Sequence, residues 1–392
     1  MFHKMLIEQK KYLKAKKWKK ALEINNKLIE LEPDNASLYK DRSLFFRRIK
    51  DLDSAKEAMV RFLSIKCGKN FEKVLSNLNY EIKKELALPH LYSSYKITES
   101  GGFNYGTIVH ATNDGRFFFT KISQINVGDK EAYFYREIRE RHEELKGITL
   151  DLCHEYKDKR GKISFLTFPK INGPHASLGR NKELVFAAYK KITSIGAHDL
   201  SEYFVNDVGA VVSSRQELKL SLIFSKLDDI KVLEQVFKWA AKRIEKFNSK
   251  DNSTVESDFI WLEKEVIDKR LFDRNKGKLM FTMMHGDFHQ GNLLLNEDGA
   301  LYLIDWPNVG VAPKGVDMTK LFRREKWDFN TIRSEFIEKS SANNNMSAIE
   351  KCAVSFTMIL TWLNFMPKTA LKNYDNYIGG ALEYIRSVAE LE

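Results

Sequence analysis

The chain has 392 residues, 43% of them hydrophobic and 12% aromatic, with a formal net charge of +11 and three cysteines. That length exceeds one ordinary core, so two or three domains are expected, and the composition excludes a disordered chain. The cysteines (Cys67, Cys153 and Cys352) lie far apart, which excludes a disulfide framework or a CxxC metal site and fits a reducing compartment.

The opening stretch MFHKMLIEQKKYLKAKK has no apolar segment followed by a cleavage site, so no secretory signal is expected. Seven lysines fall between residues 10 and 20. Such a run reads as a solvated helix face, or as a contact for an anionic surface such as a membrane or a saccharide. There is no RNP-type aromatic motif, zinc finger or basic heptad, so nucleic acid is not an expected partner.

Trp18, Ala21, Leu28 and Leu31 recur 34 residues later as Leu52, Ala55, Phe62 and Ile65. Pro33-Asp34-Asn35 breaks the chain between the two units. Each unit reads as a helix pair, with alanine where helices cross closely. The period resembles the tetratricopeptide repeat over residues 3–66, although the usual turn glycine is missing. The resemblance implies an all-α module with a protein partner, and the lysine run adds an anionic surface as the other candidate partner. Two units are fewer than such arrays need, so the module should lean on another element, and FEKVLSNLNYEIKKEL at 71–86 is the candidate cap.

After Pro89 the texture turns to short β-prone runs: YKITES, GTIVHAT and RFFFTKIS, with turns at Gly101-Gly102 and Asn113-Asp114-Gly115. A charged helix, KEAYFYREIRERHEEL, precedes two further strand candidates, ITLDLCHEY and KISFLTFPKI. Beyond Gly173 the chain reads as mostly helical. Its longest uncharged run, CAVSFTMILTWLNFM, has fifteen residues. That is short of the ~18–20 that cross a bilayer and fits a buried helix. A cytoplasmic protein is expected, with peripheral membrane contact through the lysines as an alternative.

The stretch MMHGDFHQGNLLLNEDGALYLIDW carries the chemistry: Asp287 precedes Asn292 by five positions, and Asp305 follows thirteen later, at the end of a second strand. Phosphoryl transfer from ATP needs Mg2+ on oxygen ligands and a carboxylate to receive the hydroxyl proton. A kinase catalytic loop spaces its base and its metal-binding asparagine in this way. His285 and His289 stand four apart, but the loop lacks the glutamate of a HExxH zinc helix.

HGDFHQGNLLL with LIDW resembles the aminoglycoside phosphotransferase-like kinases over residues 93–392. The resemblance implies an α+β, bilobal protein-kinase-like fold: a small antiparallel β lobe at 93–171 and a helical lobe at 172–392. The tetratricopeptide-like repeats (1–68) and a capping or linker helix (69–92) precede them. It further implies Asp287 as catalytic base, Asn292 and Asp305 as Mg2+ ligands, and His285 as a structural brace of the loop. Lys121 would pair with ATP phosphates, its carboxylate partner being Glu137 or, as runner-up, Glu131. Gly101 and Gly102 would lie over phosphates, backbone groups near Phe168 and Lys170 would meet adenine, and Asp317 would brace the catalytic loop. Gly286 stands where a protein kinase has the arginine of HRD, Trp306-Pro307 replaces Phe-Gly, and no APE follows. These departures speak against a regulated protein kinase. The expectation is an ATP- and Mg2+-dependent phosphotransferase acting on a hydroxyl of a small molecule or saccharide, such as a glycan or lipid-linked sugar. A non-catalytic scaffold using its repeats to bind proteins is the alternative.

Overall fold

The computed structural model describes residues 1–96, 104–200, 211–213, 217–245, 253–339, 346–365 and 374–389. Gly101 and Gly102 lie outside the described residues. The chain has the expected α+β class and divides into two compact units, residues 1–137 with 150–170, and residues 138–149 with 171–392.

The first unit opens with five helices: α1 (Phe2–Lys14), α2 (Trp18–Leu31), α3 (Ala36–Arg48), α4 (Leu52–Cys67) and α5 (Phe71–Glu85). The residues that recur at 34 positions sit at matching places on α2 and α4. Ala21 and Ala55 are fully buried, as are Leu28 and, within 2%, Phe62. Asn35, Asp51 and Asn70 cap α3, α4 and α5 by accepting from the backbone N–H of Ser37, Ser54 and Glu72. Gly68 ends α4 at φ 63°, the left-handed conformation that a C-cap wants. All seven lysines between residues 10 and 20 are exposed.

Five antiparallel strands follow: β1 (Tyr92–Lys96), β2 (Asn104–Ala111), β3 (Phe117–Gln124), β4 (His154–Asp158) and β5 (Ile163–Pro169). Their order is β1-β2-β3-β5-β4, with α6 (Ile125–Tyr133) following β3. The sheet and the helices share one core. Met59, Phe62, Leu63, Phe71, Val74, Leu78 and Ile82 pack with Tyr95, Tyr105, Ile108, Phe118, Ile122, Ile163 and Phe165. The helical module therefore covers the sheet directly.

Two expected elements differ from the structure. The strand expected at 148–156 begins only at His154, because Ile148 and Thr149 are drawn into the second unit, where Ile148 O accepts from Leu303 N at 2.7 Å. The helix expected at 130–145 starts earlier, at Ile125. It widens into a π-turn at Phe134–Ile138, and His142 interrupts it with extended angles (φ −121°, ψ 100°).

The second unit is largely helical, with long helices at Leu178–Thr193, Ile230–Glu245 and Ala348–Phe365. The uncharged run near its end lies in the last of these, which is buried over most of its length. No helix among the described residues is long and apolar enough to cross a membrane. Two short hairpin-like ladders carry the loops of interest: β6 (Phe281–Met284) pairs with β9 (Gly310–Pro313), and β7 (Leu293–Leu295) with β8 (Leu301–Leu303).

Candidate active site

Residues 285–292 leave β6 and enter β7, and buried polar groups hold this loop in shape. His285 is fully buried. Its Nε2–H donates to Ile304 O at 2.9 Å, and its Nδ1 accepts from Asp287 N at 3.3 Å. Both ring nitrogens are thus engaged by a neutral imidazole, and burial pushes the pKa down to about 4. Gly286 takes φ 78°, and a Cβ there would lie 1.9 Å from Asn308 O. Glycine is the residue this turn accepts, which gives a local reason for its presence where protein kinases have arginine.

Asp317 Oδ2 accepts from His285 N at 2.8 Å and Gly286 N at 3.1 Å, so it braces the loop from the other side. Its Oδ1 is buried without a partner. Burial raises its pKa to about 6, against the pull of Lys320 and the two backbone donors.

Asp287 is one-third exposed. Its oxygens face two cationic or donor groups, Lys320 Nζ at 3.4 Å and His289 Nε2 at 3.4 Å. Burial works against its ionisation, but the bond from His289 and the charge of Lys320 prevail and hold the carboxyl well below the usual range. His289 Nδ1 accepts from Gly291 N at 3.0 Å, which leaves the protonated Nε2 for Asp287. Both histidines are thus engaged in the loop's own hydrogen bonds.

Asn292 Nδ2 donates to Asp287 O at 2.9 Å, and because an amide's nitrogen and oxygen point apart, Oδ1 is turned away from the loop backbone. Asn292 O accepts from Ile304 N at 3.1 Å, and Trp306 Nε1 donates to Leu303 O at 3.1 Å. The Asn292–Ile304 and His285–Ile304 bonds clamp the segment bearing Asp305 to the loop at 285–292. Asp305 adopts φ 69°, a left-handed angle that Asp tolerates better than most residues. No group of three His, Cys, Asp or Glu side chains among the described residues stands ready for a metal. A hard divalent cation at Asn292 and Asp305 would therefore draw its remaining oxygens from phosphate and water, the mode Mg2+ prefers.

Lys320 is the functional neighbour that the sequence reading missed. It lies on the helix Thr319–Arg324, three residues after Asp317 of the preceding turn Val316–Met318, and also donates to Gly286 O. No pattern in the sequence marks it.

In the first unit, Lys121 lies on β3, 8% exposed, with its Nζ 2.6 Å from Glu131 Oε2. Glu131 is buried, whereas Glu137 is exposed. The preference for Glu137 is corrected accordingly: Glu137 stands six positions further on, inside the π-turn, with its side chain on the exposed face. Phe168 is buried, its ring 5.4 Å from Phe119 and 4.9 Å from Tyr135. Lys170 N already donates to Phe117 O at 2.9 Å, so that backbone N–H is committed to the strand pair and not available to adenine.

One comparison with known proteins covers this loop. Residues 204–347 match the model of the phosphotransferase enzyme family, APH. Among solved structures the chain is similar to an aminoglycoside phosphotransferase from Alicyclobacillus acidocaldarius (16% identity, 78% of this chain and 89% of that chain covered, TM-score 0.40). It is also similar to the choline kinases of Cryptosporidium parvum (12%, 81% and 94%, 0.42) and Streptococcus pneumoniae (14%, 81% and 99%, 0.39). The segment holding Asp287, Asn292, Asp305, Asp317 and Lys320 is therefore similar to the APH phosphotransferase enzyme family.

Proposed function

We propose that this chain is an ATP- and Mg2+-dependent phosphotransferase acting on a hydroxyl of a small molecule or saccharide. The observation that carries the reading is an Asp287 carboxylate held ionised by Lys320 and His289, on a loop whose Asn292 and Asp305 are clamped beside it. Asp287 orients the acceptor hydroxyl and accepts its proton. The hydroxyl oxygen forms a bond to the γ-phosphorus while the bond from that phosphorus to the β–γ bridging oxygen breaks, and ADP leaves with the electron pair. The proton passes from Asp287 to solvent. A strongly ionised carboxylate is a weak base, which suits a loose transition state in which the hydroxyl loses its proton late. Asn292 and Asp305 would hold Mg2+, which neutralises charge on the phosphates when bound. Lys121, oriented by Glu131, is the proposed nucleotide-phosphate contact of the first unit.

The test is ATP consumption over an acceptor panel, with Asp287→Asn alongside the parent. The variant should lose roughly 10²- to 10⁴-fold in kcat while keeping its affinity for nucleotide. Near-normal turnover in the variant removes Asp287 from the role of base. A parent that binds no nucleotide at millimolar concentration would favour the scaffold reading.

A further inference from the structure

Lys320 reaches Asp287, and Arg323 follows on the same face of the helix Thr319–Arg324. The Arg323 guanidinium lies over the Phe365 ring, 4.2 Å from its centroid. One turn before Phe365, Trp362 stacks on Tyr377 with centroids 3.8 Å apart. The Thr319 and Thr361 hydroxyls meet at 3.3 Å, and this pair has the same sequence offset, 42, as Arg323 with Phe365. The two helices therefore run side by side in the same direction, with Trp362 one turn before the ring that Arg323 covers.

Two donors on these helices are buried and lack acceptors among the described residues: Arg323 Nε and Trp362 Nε1. No carboxylate among the described residues pairs with Arg323. Burial and the adjacent Arg324 lower its pKa, the mark of a cation short of counter-charge. A half-buried guanidinium without an anion is costly, and neither group can do anything but donate. What satisfies both is a negatively charged acceptor oxygen.

We propose that the molecule phosphorylated at Asp287 carries an anionic group, a carboxylate or a phosphate, bound by Arg323 with Trp362 about one helical turn beyond Lys320. The proposal rests on the phosphotransfer reading. It also says what is disfavoured: the cationic row of Lys320, Arg323 and Arg324 repels amino-bearing acceptors.

The experiment titrates matched hydroxyl compounds into the full chain saturated with a non-hydrolysable ATP analogue, and repeats the titrations without nucleotide. The sets are glucose, glucosamine, glucuronate and glucose 6-phosphate; ribose and ribose 5-phosphate; and glycerol, glycerate and glycerol 3-phosphate. At least one anionic member should bind tenfold or more tighter than its neutral and amino counterparts. Arg323→Gln should erase that advantage and Arg323→Lys should keep part of it, with thermal unfolding of both variants showing that they fold. ATP consumption should follow the same preference, with KM for the anionic member rising in Arg323→Gln. Absence of any anionic preference, or a preference that Arg323→Gln leaves intact, overturns the proposal. Arg323-dependent anion binding in a chain that never consumes ATP would sink the phosphotransfer reading instead. Turnover of neutral or cationic members alone would retain that reading and overturn the anionic acceptor.

Discussion

Asp317 and His285 touch the same loop and titrate in opposite senses. Burial raises Asp317 from the ordinary 3.8 to about 6. Its contribution to stability is full below the unfolded value and is lost as pH rises through about 6. Burial lowers His285 from 6.5 to about 4, so its contribution is present above 6.5 and is lost as pH falls through the interval down to about 4. Between about pH 4 and 6 the two oppose each other. Asp317→Asn removes one side of that balance. Relative to the parent, the variant should therefore gain roughly 2–3 kcal/mol as pH rises across this window, a figure set by the two-unit shift. Urea unfolding of both proteins at pH 4.5 and pH 7 measures the difference, in which the other titrating groups cancel. A difference that does not move with pH would mean that the Asp317 carboxyl is not held neutral. At this scale the sequence was most legible where chemistry demands fixed spacing, as at Asp287, Asn292 and Asp305. Lys320 escaped because one lysine on a helix face has no distinguishing pattern until its neighbour across the fold is known.

At the scale of elements, the choice between Glu131 and Glu137 was a question of helical phase. Both stand on the helical stretch after β3, and both were compatible with pairing to Lys121. The phase was decided by which face of that stretch meets the sheet, and Glu137 falls inside the π-turn at Phe134–Ile138, on the exposed face. The buried Lys121–Glu131 pair supplies a direct expectation for nucleotide binding. Glu131→Gln should weaken MgATP binding about tenfold, since it frees a buried lysine from its orienting charge. Glu137→Gln should change that affinity little. Calorimetric titration of the two variants decides, and equal losses in both would place the phosphate-facing lysine elsewhere.

For the molecule as a whole, the N-terminal helices carry a consequence for the first unit. From the sequence, a chain starting near Pro89 contains every kinase-like motif and is expected to be less soluble while keeping its phosphotransfer. The core shared by α4, α5 and the sheet predicts a harsher result. Removing residues 1–88 strips Met59, Phe62, Phe71, Leu78 and their neighbours from one side of that core, leaving Tyr95, Ile108, Ile122 and Phe165 uncovered. Single large-to-small changes in a core cost ~2–5 kcal/mol, and this deletion removes several such side chains together. A chain of residues 89–392 should therefore aggregate, or show rapid hydrogen exchange throughout β1–β5. A soluble truncated chain with a protected sheet would show that the sheet stands without its helical cover.

The sequence by itself determined the elements whose physics is local or whose spacing is dictated by chemistry. These include the helix pairs with alanine at the recurring crossing position and the strands punctuated by turn residues. They also include a loop in which a carboxylate precedes an amide by five positions. Capping side chains, periodic burial and motif spacing all act within a few residues, so they survive in a linear reading. Tertiary structure decided what depends on residues far apart in the chain. It joined the repeats to the sheet in one core, drew residues 148 and 149 out of their expected strand, and selected Glu131 over Glu137. It also set Lys320 against Asp287 and left Arg323 without a counter-ion among the described residues. Each of these outcomes turns on which faces meet and which charges lose water together, and neither is encoded at any fixed spacing along the sequence.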